Sequence, residues 1–224
     1  VQKNAAMKAV SVIEDANRIP EPALSEDIYG KWELVYTNTQ LFRSSPFFMA
    51  GRAVCTDPSD ARKFNFFCDM HRKALAISTI QSVRQIITTS GRLISEFDVS
   101  AGAVPFLNFY SGGYPFAITG SLVSSADWEP VNNGTDLELL MDTVKIRGSN
   151  IPGLRQILDQ PSAQLESRQL SQAIESVLST YKAPKPVFRT TYLDDRYRMS
   201  RDQDDNVFFY IKTAEATTQT TYEN

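Results

Sequence analysis

Apolar positions change period several times along this chain. From Asn4 to Arg18, Ala5, Ala6, Ala9, Val12, Ile13 and Ala16 recur at helical spacing, and Pro20 and Pro22 stop the run. The period then drops to two. In Lys31–Asn38, Trp32, Leu34 and Tyr36 share one strand face, and Val35 and Thr37 the other. Further strands are expected near Arg52–Thr56, Phe64–Met70, Lys73–Ile80 and Val83–Thr89. Gly91 marks a turn, and Arg92–Val99 returns as the second arm of an antiparallel hairpin. Strands resume at Phe116–Ser124 and Asp136–Arg147, with Asn132–Asn133–Gly134 as a hairpin turn between them. A second helix is predicted over Ser162–Tyr181, with Leu165, Gln169, Ala173, Ile174, Val177 and Leu178 on or near one face. A last hairpin pairs Phe188–Ser200 with Asn206–Thr213, and a polar, Thr-rich, mobile tail follows Ala214.

Many short strands at fairly even spacing, with one helix in front and one before the last hairpin, predict a mainly β fold: a closed antiparallel barrel. No repeat and no Pro- or Gly-rich linker divides the 224 residues. We read residues 1–23 as helix and linker, 24–213 as one domain and 214–224 as tail.

Two segments break the alternation. Leu41–Gly51 reads as a loop with an apolar tip of Phe47, Phe48 and Met49. Gly102–Phe116 is a second aromatic loop, holding Phe106, Phe109, Tyr110, Tyr114 and Phe116 around Gly112–Gly113. Loops usually carry polar residues because their backbone meets water. Such tips either fold inward as a lid over a pocket or touch lipid or a protein partner. The sequence leaves both open.

Composition narrows the chemistry. Hydrophobic residues make up 42% of the chain, enough for one sizeable core. A net charge of −3 without a long basic run speaks against nucleic acid as a partner. Cys55, Cys68 and the single His71 are too few for a disulfide scaffold or a zinc site, and the cysteines read as reduced, buried thiols. No apolar run approaches the ~20 residues of a membrane-spanning helix. A chain starting at Val1 reads either as a mature product that has lost a targeting peptide or as a trimmed one.

No catalytic constellation stands out. Asp194 and Asp195 are neighbours on a strand and point to opposite faces, so they are no acid–base dyad. Asp202, Asp204 and Asn206 open like a calcium loop, but Val207 and Thr213 stand where Gly and Glu are needed, and an Asx-rich turn is the better reading. We expect a binding protein and no enzyme.

Three motifs carry a family resemblance. Gly30–Lys31–Trp32–Glu33–Leu34–Val35–Tyr36–Thr37 resembles the G-x-W-x-L-x-Y-T stretch of the plastid lipid-associated proteins, or fibrillins, whose Gly-x-Trp start is lipocalin-like. Gln85–Ile86–Ile87 with Leu93–Val99 resembles their central Q-x-I hairpin, without the Asn usual early in its second strand. Thr191–Arg201 is similar to their terminal T-Y-L-D-E-x-L-R-I-S-R-G motif, with Asp202 in place of its Gly. The resemblance covers about residues 24–212. It implies a lipocalin-like barrel in plastids, peripheral to thylakoids or plastoglobules, that binds or shields a lipid, carotenoid or prenylquinone and uses no other cofactor. It also leaves room for a structural or assembly subunit docked on a photosynthetic membrane complex. Trp32 either stacks on ligand or plugs the closed end of the barrel. In the second case Arg198 or Arg201 lies within about 6 Å of the indole ring. Phe47, Phe48, Phe106 and Phe109 are then expected together at the opposite end.

Overall fold

A computed structural model describes residues 2–55, 57–64, 66, 78–101, 118–150, 160, 165–177 and 183–215. Helix α1 spans Gln2–Asp15. Strands β1 (Gly30–Thr37), β2 (Ser78–Ile87), β3 (Arg92–Ala101), β4 (Ile118–Val131) and β5 (Asp136–Arg147) follow in order, with helix α2 (Pro46–Ala53) between the first two. The two-residue strand β6 (Leu165–Glu166) leads into helix α3 (Ser167–Val177). The chain closes with β7 (Val187–Leu193), β8 (Tyr197–Arg201) and β9 (Val207–Ala214).

All pairings are antiparallel, in the order β4-β3-β2-β1-β9-β8-β7-β5-β6, and β4 also pairs with β5. That last pairing closes the sheet into a ring. β6 attaches to β5 at Thr143 and Val144, outside the ring, so eight of the nine strands form it. The fold is mainly β and barrel-like, as the alternation of apolar positions predicts.

Closure divides each strand into an inward and an outward row. Trp32 and Leu34 of β1, Val83 and Ile87 of β2, Phe97 of β3, Leu137 and Leu139 of β5, Phe188 of β7 and Phe208 and Tyr210 of β9 join one interior core. β8 contributes Arg198, which is fully buried. On the outer face Met199 and Val207 pack with Val10 of α1. The helix is further held where Arg201 donates from Nε and Nη2 to the two Glu14 carboxylate oxygens at 2.7 and 2.8 Å.

Burial pushes the Glu14 carboxyl up, but hydrogen bonds from Arg201 and Thr191 outweigh it and hold the group below its ordinary value of 4.5. A carboxyl depressed in the folded state stabilises fully above its unfolded pKa, and the contribution is lost as pH falls through the folded value. Glu14→Gln is therefore expected to lower the urea midpoint at about pH 7 and to lie much closer to wild type at about pH 3. An equal gap at both would contradict the clamp.

The two ends of the ring are built differently. At the end where β1 begins lie the 3-10 turns Pro22–Leu24 and Glu26–Ile28, the Gly91 turn and the Asn132–Gly134 turn. We call it the floor. Asn132 and Asn133 take φ of 50° and 56° there and Gly134 takes 79°, the left-handed geometry expected of this turn. At the opposite end, the mouth, β1 leaves toward α2, β3 ends, β4 begins, and β8 turns into β9.

Several expectations change. Leu41–Gly51 is no loop: Leu41–Ser44 forms a 3-10 turn and Pro46–Ala53 is helical. Ser45 caps that helix, its Oγ accepting from the Phe47 N–H, and Pro46 sits at its first position, where no backbone donor is lost. Of the strand expected at Arg52–Thr56, Arg52 and Ala53 end that helix, Val54 turns away from it and Thr56 lies outside the described residues; residues 58–64 are helical as well. Phe64 thus starts no strand, and 67–77 lie outside the described residues. β2 joins the described end of the strand expected at Lys73–Ile80 to the one expected at Val83–Thr89, with a register shift between Ile80 and Ser82. Leu165–Glu166 is strand, so α3 starts later than Ser162. The Phe188–Ser200 arm is two strands, because the Asp194 carboxylate accepts from the Arg196 and Tyr197 N–H groups and turns the chain. α3 lies against β5, and its Arg168 donates to Asp127 at 2.6 Å, beside the Arg92 pairs with Asp127 and Asp142 at 2.5 and 2.7 Å. The tail from residue 216 lies outside the described residues.

Candidate functional site

The three sequence motifs converge inside the ring. Gly30 enters β1 with φ of 147°, and a Cβ there would lie 3.0 Å from the Ala214 carbonyl oxygen. Only glycine suits that entry without strain. Two residues on, Trp32 is fully buried and donates from Nε1 to the Ile28 carbonyl at 2.9 Å. The floor turn thus satisfies the one polar atom of the indole.

Arg198 stands over it. Its guanidinium carbon lies 5.2 Å from the Trp32 ring centroid, 4.3 Å from Tyr210 and 5.9 Å from Phe188. The Lys212 ammonium is 5.1 Å from the same indole. Of the two arginines considered from sequence, Arg198 faces inward and meets Trp32; Arg201 faces outward and meets Glu14. The parity of β8 decides this, since Arg198 and Arg201 are three residues apart and fall on opposite faces.

Gln85 completes the cluster. It is 1% exposed and lies directly across from Trp32 on β2. Arg198 Nη2 donates to Gln85 Oε1, and Gln85 Nε2 donates to the Ser44 carbonyl at 2.9 Å. Arg198 Nε and Nη1 have no hydrogen-bond partner, and no described carboxylate forms an ion pair with the group. Burial pulls the guanidinium down to about 10, opposed by Tyr210. Burial likewise pushes the Tyr210 hydroxyl up, opposed by Arg198. Ser95, Ser200 and Thr190 add further buried hydroxyls without partners. The interior therefore has a polar centre with one uncompensated cation. Charge in that setting is costly unless something accepts from it.

The 3-10 turn and α2 stopper the mouth. Ser45 Oγ and Ser124 Oγ share a hydrogen bond of 2.9 Å, and Met49 and Ala50 are buried in the interior core. At the rim, Arg52 donates to both Asp204 oxygens at 3.0 and 2.8 Å, Arg43 donates to Asp204, and Arg43 lies 3.6 Å from Asp202. Asp202, standing where the resembled family has Gly, is the keystone of the turn. Its Oδ1 accepts from the Asp204 and Asn206 N–H groups. This is the Asx-rich turn expected from sequence, not a calcium loop. A shallow, partly open cleft lies here, lined by Arg43, Phe48, Met49, Arg52, Asp202 and Gln203.

The aromatic tip is divided among three environments. Met49 is buried, Phe48 is half-buried between Phe42 and Phe47 (ring centroids 4.6 and 5.4 Å), and Phe47 is 40% exposed. Val54 and Phe66, absent from the sequence expectation, are 53% and 64% exposed. The second helical segment touches the first where Phe64 packs on Gly51. Phe106, Phe109, Tyr110, Tyr114 and Phe116 lie outside the described residues; the strand ends that carry them, Ala101 and Ile118, pair with each other at the mouth. Cys55 is a free, half-buried thiol, and Cys68 and His71 lie outside the described residues. Among the described residues, no three His, Cys, Asp or Glu side chains gather as a metal site, and no helix is long and apolar enough to cross a membrane.

A search among curated proteins returned no match, and a search among solved structures returned none. A family model described as PAP_fibrillin matches residues 1–211, from α1 into β9. With 211 of 224 residues inside that match, the chain belongs to the PAP_fibrillin family.

Proposed function

We propose that the protein is a non-enzymatic lipid-associated barrel that meets a plastid lipid surface with its mouth and binds or shields a lipophile there. PAP_fibrillin proteins are typically plastid-associated, which supports the compartment, with thylakoid or plastoglobule as the surface. The observation that carries the reading is the apolar rim: Phe47, Val54 and Phe66 stay exposed on the stopper and the helical segment after it. Arg62 is exposed on that second segment beside the apolar contact, suited to an anionic headgroup, while Lys63 pairs with Asp60 at 2.8 Å. Each large apolar side chain gains roughly 1.5–3 kcal/mol when fully buried. Phe47→Ser combined with Phe66→Ser is therefore expected to weaken co-sedimentation with galactolipid vesicles by about tenfold or more. Circular dichroism should change little, since Phe66 is mostly exposed and Phe47 is part-exposed, meeting the edge of Phe48. Undiminished binding of this variant would sink the reading.

A second reading has its own support. The interior is filled by fully buried Trp32, Arg198, Tyr210, Phe188 and Phe208. A filled barrel with an apolar rim suits docking on a photosynthetic membrane protein, as a structural or assembly subunit. The same double variant, tested against isolated photosynthetic complexes, separates the two: loss there with vesicle binding intact favours the protein partner.

A further inference from the structure

We propose that Arg198 is the anchor for the carboxylate of a single-chain lipophilic acid, which enters at the mouth and displaces the stopper Leu41–Ala53. The inference rests on the lipophile-binding reading and names the chemistry of its head group. Three observations lead to it. The first is the state of Arg198. Its guanidinium is fully buried, yet Nε and Nη1 donate to nothing. Nη2 carries two N–H groups and Gln85 takes one, so one complete edge of the fork stays open. A carboxylate presents two acceptor oxygens at the spacing of such an edge, and its charge compensates the cation. A hydroxyl or a neutral carbonyl does only part of this.

The second is what occupies the neighbouring space. Gln85, the one partner of Arg198, is bonded on its other side to the Ser44 carbonyl. The stopper therefore already sets a backbone oxygen, an acceptor, beside this polar centre. Behind it, Met49 and Ala50 fill apolar volume in the same core as Leu34, Val83 and Phe97. Withdrawal of the stopper opens a slot with a polar inner end and apolar walls, the shape of a fatty acid seated head first. The faces of the guanidinium remain covered by Trp32 and Tyr210, so only its edge is offered.

The third is how the stopper is held. At the rim Arg43 and Arg52 converge on Asp204, and Arg43 also nears Asp202, a network that has to open for the stopper to leave. The deeper contacts are the Ser44–Gln85 and Ser45–Ser124 hydrogen bonds and the burial of Met49; the acyl chain takes over the apolar volume of Met49, while the carboxylate supplies the acceptor and the charge that Arg198 lacks.

The test is calorimetric titration of the full chain with dodecanoate and with dodecanol, which share a chain and differ in the head. Wild type is expected to bind the acid about tenfold to a hundredfold more tightly, the range for a hydrogen-bonded charge. Arg198→Met should lose that preference while still binding the alcohol, which also reports that its barrel is intact. Equal affinity for acid and alcohol in wild type, or a preference that survives Arg198→Met, overturns the anchor and leaves lipophile binding standing. Binding of neither compound overturns both.

Discussion

Trp32→Ala is expected to lower the unfolding free energy by about 3–5 kcal/mol, the range for emptying a large aromatic site in a packed core. The indole is fully buried, and it does three things that alanine does not. It fills the floor of the ring under the turns Pro22–Leu24 and Glu26–Ile28. It donates to the Ile28 carbonyl, which loses that partner when the ring is removed. Its face attracts both Arg198 and Lys212, contacts worth about 0.5–2 kcal/mol each. Partial collapse of the site is opposed by the closed ring, since at Trp32 β1 is paired on both sides, with Gln85 of β2 and Lys212 of β9. Trp32→Phe keeps most of the volume and the aromatic face while losing the donor, so its cost should be well below that of alanine. Urea denaturation of the three proteins, followed by far-ultraviolet circular dichroism, checks the order. An alanine midpoint equal to wild type would mean that the floor is not part of the cooperative core.

Period and parity make much of this legible in the sequence. The alternation at Trp32 and Leu34 and the hairpin turn at Asn132–Gly134 follow from local rules, and one of two candidate arginines meets the indole; Tyr36 does not share that face, because a register shift after Leu34 turns it outward to Met199 and Val207. The stopper did not. Phe47, Phe48 and Met49 are three consecutive apolar residues, and such a run is ambiguous between loop tip and short helix. The resolving signal was Ser45–Pro46, a capping residue followed by proline at the first helical position. Gln85 was quoted as part of a motif without a role. Its position in the interior row of Val83 and Ile87 marks it as a polar side chain in an apolar core, which calls for a partner. That partner is 113 residues away in sequence, and only ring closure brings the two together. The clamp of Arg43 and Arg52 on Asp204 is non-local in the same way, and nothing in the local pattern around Asp204 names its cations.

Gln85→Leu carries the second large expected effect, a loss of about 2–3 kcal/mol or more. It removes the described acceptor of Arg198 and leaves a buried guanidinium with no hydrogen bond at all. Bonds to charged groups contribute roughly 1.5–3 kcal/mol, and an orphaned buried charge adds its desolvation cost. Leucine is close to glutamine in volume, so the cost is electrostatic rather than steric. The Ser44 carbonyl also loses its donor, which loosens the stopper. Arg198→Met behaves differently. It removes the charge together with its demand for partners, and methionine fills the same elongated space between Trp32, Tyr210 and Phe188. Replacing a buried charge by an apolar side chain of similar volume is often neutral or stabilising. The double variant Gln85→Leu/Arg198→Met should therefore be more stable than Gln85→Leu alone, with a coupling of about 1–3 kcal/mol in the cycle. Additive losses would mean that Arg198 is solvated by some other group and that Gln85 is ordinary packing. The expected non-additivity, combined with an intact barrel in Arg198→Met, would mean that the arginine is not kept for stability. In that outcome its place behind the stopper would accord with the proposed role of anchoring a carboxylate.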